Sequence, residues 1–270
     1  MAFYPAARRI DRRAIAYLAC TVLVPIIVYS AYAQAAFYIV SDPNVFLVFH
    51  AFVEIFTVLV AAAIAYVSFL GYRGDGSRTI LLLGTAFLAQ AALDTIHALA
   101  YPGMPNLFFQ PGSNQAIYAW LFARISGAIL LLLSATLPER ETPPKIRTKI
   151  LLLAVAAVAF LSITCAYAIK ELIDVLPPMF IQGKGLTMLK IGLEDLVALT
   201  LAITGLSYLR NYMHTANKTI LTFTIGVTLF IFSEIGFMLY KNVYDIYNIT
   251  GHIFKLAAFI AFLIGLIRAR

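Results

Sequence analysis

The chain has 270 residues, 62% of them hydrophobic and 12% charged, with a mean hydropathy of +0.89. Soluble domains run at about 45–50% apolar and about 25% charged residues, so a soluble globular protein is excluded and an all-α integral membrane protein is expected. The net charge of +7 does not point to nucleic acid, because the basic residues cluster in short loops between apolar runs, where they act as orientation signals.

About 20 apolar residues carry a helix across the hydrocarbon. Eight segments qualify, at roughly 14–37, 44–70, 79–101, 115–137, 149–169, 187–209, 218–240 and 248–267. Their length and lack of strict alternation rule against membrane strands. The first segment follows Arg8, Arg9, Arg12 and Arg13 and ends near Ala31-Tyr32-Ala33. That pattern resembles a cleavable signal, but the segment is read as a retained anchor. Residues 1–43 are therefore a basic cytoplasmic stretch plus the first crossing, and 44–270 a seven-helix membrane domain.

The second segment is long enough to tilt. Its FHAFVEIF places His50 and Glu54 four apart, on one helix face. In the third, LDTIHALAY sets Asp94 and His97 three apart, after an interruption at Gln90. The loop YPGMPNLFFQPGS is a turn or small cap, as is 170–186. Tyr101, Phe108, Tyr118 and Tyr240 are expected as interface or packing aromatics rather than cofactor stackers. The fourth segment embeds Arg124, the sixth Glu194 and Asp195, the seventh Glu234 and the eighth His252 and Lys255. PERETPPKIRTK is a solvated loop, and His214 falls in the solvated loop NYMHTANK. Cys20 and Cys165 lie far apart in apolar runs, without metal or disulfide spacing, and are expected as buried small hydrophobes.

Placing the amino terminus in the cytoplasm puts fourteen of the 20 Lys and Arg residues inside: Arg8, Arg9, Arg12, Arg13, Arg73, Arg78, Arg140, Lys145, Arg147, Lys149, Arg210, Lys218, Arg268 and Arg270. Lys170, Lys184, Lys190, Lys241 and Lys255 fall on the other side, and Arg124 within a helix. This bias fits eight transmembrane helices with both termini cytoplasmic. Counting inward at 1.5 Å per residue then puts His50, Glu54, Asp94, His97, Arg124, Glu194, Asp195, Glu234, His252 and Lys255 roughly 6–15 Å below the outer surface. Charges at membrane depth are costly. Six segments carry theirs in one layer, so these ten residues are expected to line one outward-facing polar pocket that binds a small ligand.

Imidazole and carboxylate on facing helices is how bundles build metal sites. The expected ligands are His50, His97 and His252 with Glu54, Asp94 or Glu234, for zinc, iron or copper, with haem as the second choice. The competing reading is a closed polar network, with Arg124 and Lys255 neutralising carboxylates. A metal held by neutral imidazoles would bind more weakly as pH falls toward about 6.

The same residues carry a family resemblance. HAFVEIFTVLVAAAIAY, LDTIHALAYPGMP, AWLFARISGAILLL, FIQGKGLTMLKIGLEDLVAL and IFSEIGFMLYKNVYDIYNITGHIFKLAAF occur in that order over residues 46–267. Together they resemble the membrane-associated sensor domains of the third MASE type. The resemblance implies an input module of a bacterial histidine kinase or diguanylate cyclase, in a bacterial or archaeal inner membrane. It also implies a homodimer, with a cytoplasmic output domain joined after the last helix and no catalysis by the membrane domain itself. The given sequence stops at RAR, where such a domain would begin.

The reading is thus a sensor that binds an external small ligand or metal ion and signals through its eighth helix, with no nucleic-acid partner. The alternatives are a haem- or quinone-binding redox protein and a membrane metalloenzyme or transporter. A transporter would place its site nearer the midplane, between repeated halves.

Overall fold

The structure, a computed structural model, describes residues 11–269. Arg8, Arg9 and Arg270, counted above as orientation charges, lie outside them. Eight α-helices follow one another: α1 (Arg12–Tyr32), α2 (Pro43–Asp75), α3 (Arg78–Ala100), α4 (Ser113–Thr136), α5 (Pro144–Glu171), α6 (Met188–Thr215), α7 (Lys218–Leu239) and α8 (Ile246–Arg268). Between α5 and α6, β1 (Phe180–Ile181) and β2 (Gly185–Leu186) pair antiparallel as a small hairpin.

The chain is an all-α membrane protein. Among the described residues, seven helices are long and apolar enough to cross a bilayer; α6 is not, by composition. Large apolar side chains are exposed along the helices, including Phe52, Ile55 and Phe56 on α2, Phe160 and Ile163 on α5, and Leu199 and Leu206 on α6. Several charged side chains, among them Glu54, Arg124 and Lys255, are buried instead. That inversion fits a lipid solvent, where apolar atoms face outward at no cost and polar groups must be satisfied inside.

Helix ends follow the local chemistry. Asp42 caps α2 by accepting from the Asn44 and Val45 amides, ahead of Pro43 at the first helical position. α5 starts at Pro144, earlier than expected, because proline fits the first turn and the basic residues after it are good helix formers. α6 runs on to Thr215, so His214 lies in its last turn, exposed, rather than in a loop.

α2 to α3 turns at Gly76, whose φ of 78° lies in the left-handed region. A Cβ there would also sit 2.6 Å from the Thr142 carbonyl oxygen. Arg147 closes this corner. Its guanidinium donates to the carbonyls of Arg73, Gly74, Asp75 and Thr142 at 2.6–3.2 Å, satisfying acceptors left open where α2 ends. Arg147→Ala is expected to lower stability by about 1–3 kcal/mol, read as an earlier unfolding midpoint. Lysine should restore only part of it, since one ammonium cannot reproduce the fork. An unchanged midpoint in the alanine variant would show that the corner needs no cap. Nearby, Glu139 accepts from the Arg78 and Thr79 amides. Partial burial pushes its carboxyl up, but the bonds from Thr79, Arg78 and Ser77 outweigh this and hold it below the ordinary range.

Packing closes a ring. α2 packs on α3, α3 on α4, α4 on α6, α6 on α7, α7 on α8, and α8 back on α2. α5 lies outside this ring against α3 and α4, and α1 lies outside it against α7. Tyr29 anchors α1 by donating to the Phe232 carbonyl at 2.7 Å, and Gly236 leaves room for its hydroxyl. The cysteines divide: Cys165 is buried against α3 and α4, but Cys20 is exposed on α1, because the peripheral helix has one packed side only.

The six ring helices are those that carry the embedded ionisable residues. One half of the ring is apolar, built on Phe87, Phe223, Phe230, Phe259 and Phe262. The other half holds the charges and the aromatics Trp120, Phe237, Tyr101 and Tyr240. At the polar end Asp245 caps α8. Its carboxylate accepts from the amides of Lys241, Asn242, Tyr247 and Asn248 and from the Tyr38 hydroxyl. Partial burial and that carboxylate push the Tyr38 phenol up to about 12. This end is tied further by Ser41 and Ile246, whose amides donate to Tyr244 and Ile39. α8 therefore enters the ring at a fixed angle.

Candidate metal centre

His50 and Glu54 project from α2 into the ring, His97 from α3 and His252 from α8, and all four are buried. Their ligand atoms lie within 4.8 Å of one another. His97 Nδ1 meets the Ala116 carbonyl oxygen at 2.8 Å. A carbonyl only accepts, so Nδ1 carries the proton and Nε2 presents its lone pair to the cluster. His97 Nε2 and His50 Nε2 stand 3.3 Å apart. Two ligands held about 2.0–2.1 Å from a tetrahedral ion have about that separation.

His252 Nδ1 lies 2.8 Å from Glu54 Oε1. The distance is that of a hydrogen bond, yet the angles are not, and Nδ1 remains without a hydrogen-bond partner among the described residues. The geometry decides this point, because a misaligned contact gains little. His50 Nδ1 and Glu54 Oε2 are likewise buried and unpartnered. A cation at the centre would use Glu54 Oε2 and the facing nitrogens.

The rings are held from behind. Tyr101 lies 3.8 Å from His50, centroid to centroid, and donates its hydroxyl to the Val243 carbonyl at 3.0 Å. Trp120 packs 5.4 Å from His97 and 4.3 Å from Phe237. Such supports fix ligand orientation at metal sites.

Two ion-pair groups flank the cluster. Lys255 reaches Glu54 Oε1 at 2.5 Å and Asp94 Oδ2 at 3.5 Å. Arg124 Nη2 holds both Asp94 oxygens, at 2.6 and 2.7 Å, and its guanidinium carbon sits 4.3 Å from the Trp120 ring centre. On the other side Lys190 pairs with Glu194 at 2.5 Å and donates to the Phe237 carbonyl, while Trp120 Nε1 donates to Glu194 at 3.2 Å. Glu234 is buried with neither oxygen hydrogen-bonded among the described residues. In the ring, four buried carboxylates (Glu54, Asp94, Glu194, Glu234) face three buried cations (Arg124, Lys190, Lys255).

Of the six residues expected as metal ligands, His50, Glu54, His97 and His252 converge. Asp94 is engaged by Arg124 and Lys255, and Glu234 stands outside the four. Asp195 corrects the ten-residue pocket: it is exposed on α6, because neighbours on a helix point about 100° apart and Glu194 takes the inward direction. Lys190, assigned above to the outer side, is buried beneath Glu194. Its i, i+4 spacing to Glu194 was the available signal. Trp120 was missed, although it stands four before Arg124 on the same face. Tyr101, Tyr118 and Tyr240 pack inside, whereas Phe108 is exposed.

The profile of the membrane-associated sensor domain family, MASE3, matches residues 41–270. The chain belongs to this family. The match takes in α2 to α8, including every buried ionisable residue of the ring, and leaves α1 outside. No curated protein and no solved structure matches the chain.

Trp120 is the only tryptophan in this sensor domain. Its emission is expected to be quenched when Co(II) or Cu(II) binds, because its ring touches His97. Emission unchanged in protein shown to hold the ion would place the ion elsewhere.

Proposed function

We propose that the domain is a metal-dependent sensory input module, with one transition-metal ion held by His50, Glu54, His97 and His252. The observation that carries this reading is the convergence of ligand atoms from four buried residues on three helices, with His252 Nδ1 and Glu54 Oε2 left without a hydrogen-bond partner among the described residues. A closed ion-pair network is the competing reading, favoured by Lys255 on Glu54 Oε1. It leaves His50 Nδ1, His252 Nδ1 and Glu54 Oε2 unsatisfied, at about 1–3 kcal/mol for each buried polar group. An ion at the centre relieves Glu54 Oε2 and those imidazole nitrogens that face it. Haem and quinone are disfavoured by size. The cavity at the cluster is about 30 Å³, far below the roughly 300 Å³ or more that larger organic ligands occupy.

The orientation that supports external sensing has all eight helices crossing. α6 has an exposed apolar face and about 42 Å of length by its 28 residues. The corners holding Arg73, Arg78, Arg147, Arg210 and Lys218 lie at the ends of helices opposite the metal cluster, which supports an outer-leaflet position for the cluster under the positive-inside rule. α8 carries His252 and Lys255 near the site and Arg268 about 24 Å further on. A ligand that favours one packing of α8 over another would be read at that far end by a kinase or cyclase output domain, in a homodimer in a bacterial inner membrane. The membrane domain itself is read as non-catalytic.

Elemental analysis of the purified domain tests the metal. About one equivalent of a transition metal per chain is expected. Protein that neither contains nor takes up any such metal would leave the ion-pair network as the reading.

A further inference from the structure

The metal cluster has an open flank. The cavity of about 30 Å³ reaches His97 and His252 on one side and is walled by Trp120, Phe237, Tyr101 and Ile117. Beyond it lies a wider basin of about 690 Å³, bordered by the β1–β2 hairpin and the α7–α8 turn. The two share Pro102, Ser113 and Val243 in their linings, so these three residues form the neck between the basin and the histidines.

We propose that this cavity binds a small uncharged molecule of two or three heavy atoms, which enters from the basin through the neck and coordinates the metal. The proposal rests on the metal reading above and names the class of ligand that the metal would sense.

Size sets the upper bound. One water needs roughly 10–15 Å³ of such space, so about 30 Å³ admits a diatomic or triatomic molecule and little more. Wall chemistry excludes charge. The deep wall is aromatic and aliphatic, and its charged pair is already engaged, Lys190 with Glu194 and the Phe237 carbonyl. Asn248 is engaged with the Val243 carbonyl at 2.6 Å. An ion entering here would shed its water without gaining partners, a penalty a neutral molecule avoids. Coordination supplies the affinity. Three imidazoles and one carboxylate oxygen fill a tetrahedral ion, but leave a position on five- or six-coordinate iron or copper. The ligand's lone pair forms the new bond, and nothing need leave.

Nitric oxide on the ferrous-loaded domain, handled without oxygen in lipid nanodiscs, is the probe. A ferrous-nitrosyl signal in electron paramagnetic resonance is expected, at one per iron. Ile117→Phe fills the cavity and should weaken the adduct by about tenfold or more, a normal penalty for a misfitted pocket, with iron content unchanged. Ser113→Trp narrows the neck and should slow adduct formation at equal iron content. On the wild-type protein, alkyl isocyanides should bind more weakly as the alkyl group grows from methyl to butyl. Iron-loaded protein that forms no nitrosyl, or that binds butyl and methyl isocyanide alike, overturns this inference and leaves the metal centre standing. Protein that takes up no transition metal overturns the metal reading, and this inference with it.

Discussion

His97→Ala should strip the domain of its metal. Four protein ligands become three, and the one removed is the best prepared of the set: its Nδ1 is held by the Ala116 carbonyl at 2.8 Å, which aims Nε2 at the centre. Loss of an orienting partner alone typically costs 10–100-fold in metal affinity, so loss of the ligand itself should cost about 100-fold or more. The measurement is competition against a chelator of known affinity, with metal content after dialysis as a second readout. The fold should survive, because His97 is a neutral ring among aromatic neighbours and carries no ion pair. His97→Gln provides a control, since its amide can still donate to a carbonyl while ligating poorly. Full metal occupancy in both variants would remove His97 from the site and with it the proposed centre.

A second large effect is expected at Asp94 and Arg124, and it falls on stability. The pair is fully buried, with both carboxylate oxygens on one guanidinium nitrogen. Removing one partner of a buried pair leaves an uncompensated charge and costs about 3–5 kcal/mol. Asp94→Ala should therefore unfold the domain at markedly lower denaturant, or lower its yield in the membrane. Arg124→Met should do the same, since Lys255 at 3.5 Å only partly compensates Asp94. The double variant, Asp94→Leu with Arg124→Met, should recover most of the loss, because two apolar side chains impose no unpaired charge. Its metal content then separates structure from function. Metal retained in a stable double variant would confirm that the pair frames the site without ligating. A double variant as unstable as either single one would show that the pair is not coupled as the geometry implies.

Much of this domain could be read without coordinates. All eight helices stand close to the expected segments, and seven of them meet the bilayer's demand for about 20 apolar residues whatever the tertiary arrangement. The shifts at Pro144 and Thr215 came from helix-forming residues that continue past the apolar run. The polar layer was also legible. Embedded charges are too costly to be accidental, and six helices carried them at similar depth. Those six form the closed ring, with α1 and α5 outside it.

Membership of the site was less legible. Sequence spacing fixes which residues share a helix face, so it paired His50 with Glu54 and Asp94 with His97. It does not fix how each face is turned toward the neighbouring helices. Depth therefore grouped Asp195 with Glu194, although one helix step turns Asp195 outward. It also left Asp94 and Glu54 equivalent as ligands, and only packing showed both oxygens of the first on Arg124 and Oε2 of the second without a partner. Lys190 counted as an outer-side charge until packing buried it and α7 supplied the Phe237 carbonyl over it. What the sequence determined by itself is what local chemistry and the bilayer impose: helix number, the family, and a costly polar layer in one half of the bundle. What the tertiary structure decided is which of those charges neutralise one another and which atoms remain unpaired. That depends on rotation and contact between helices far apart in the chain.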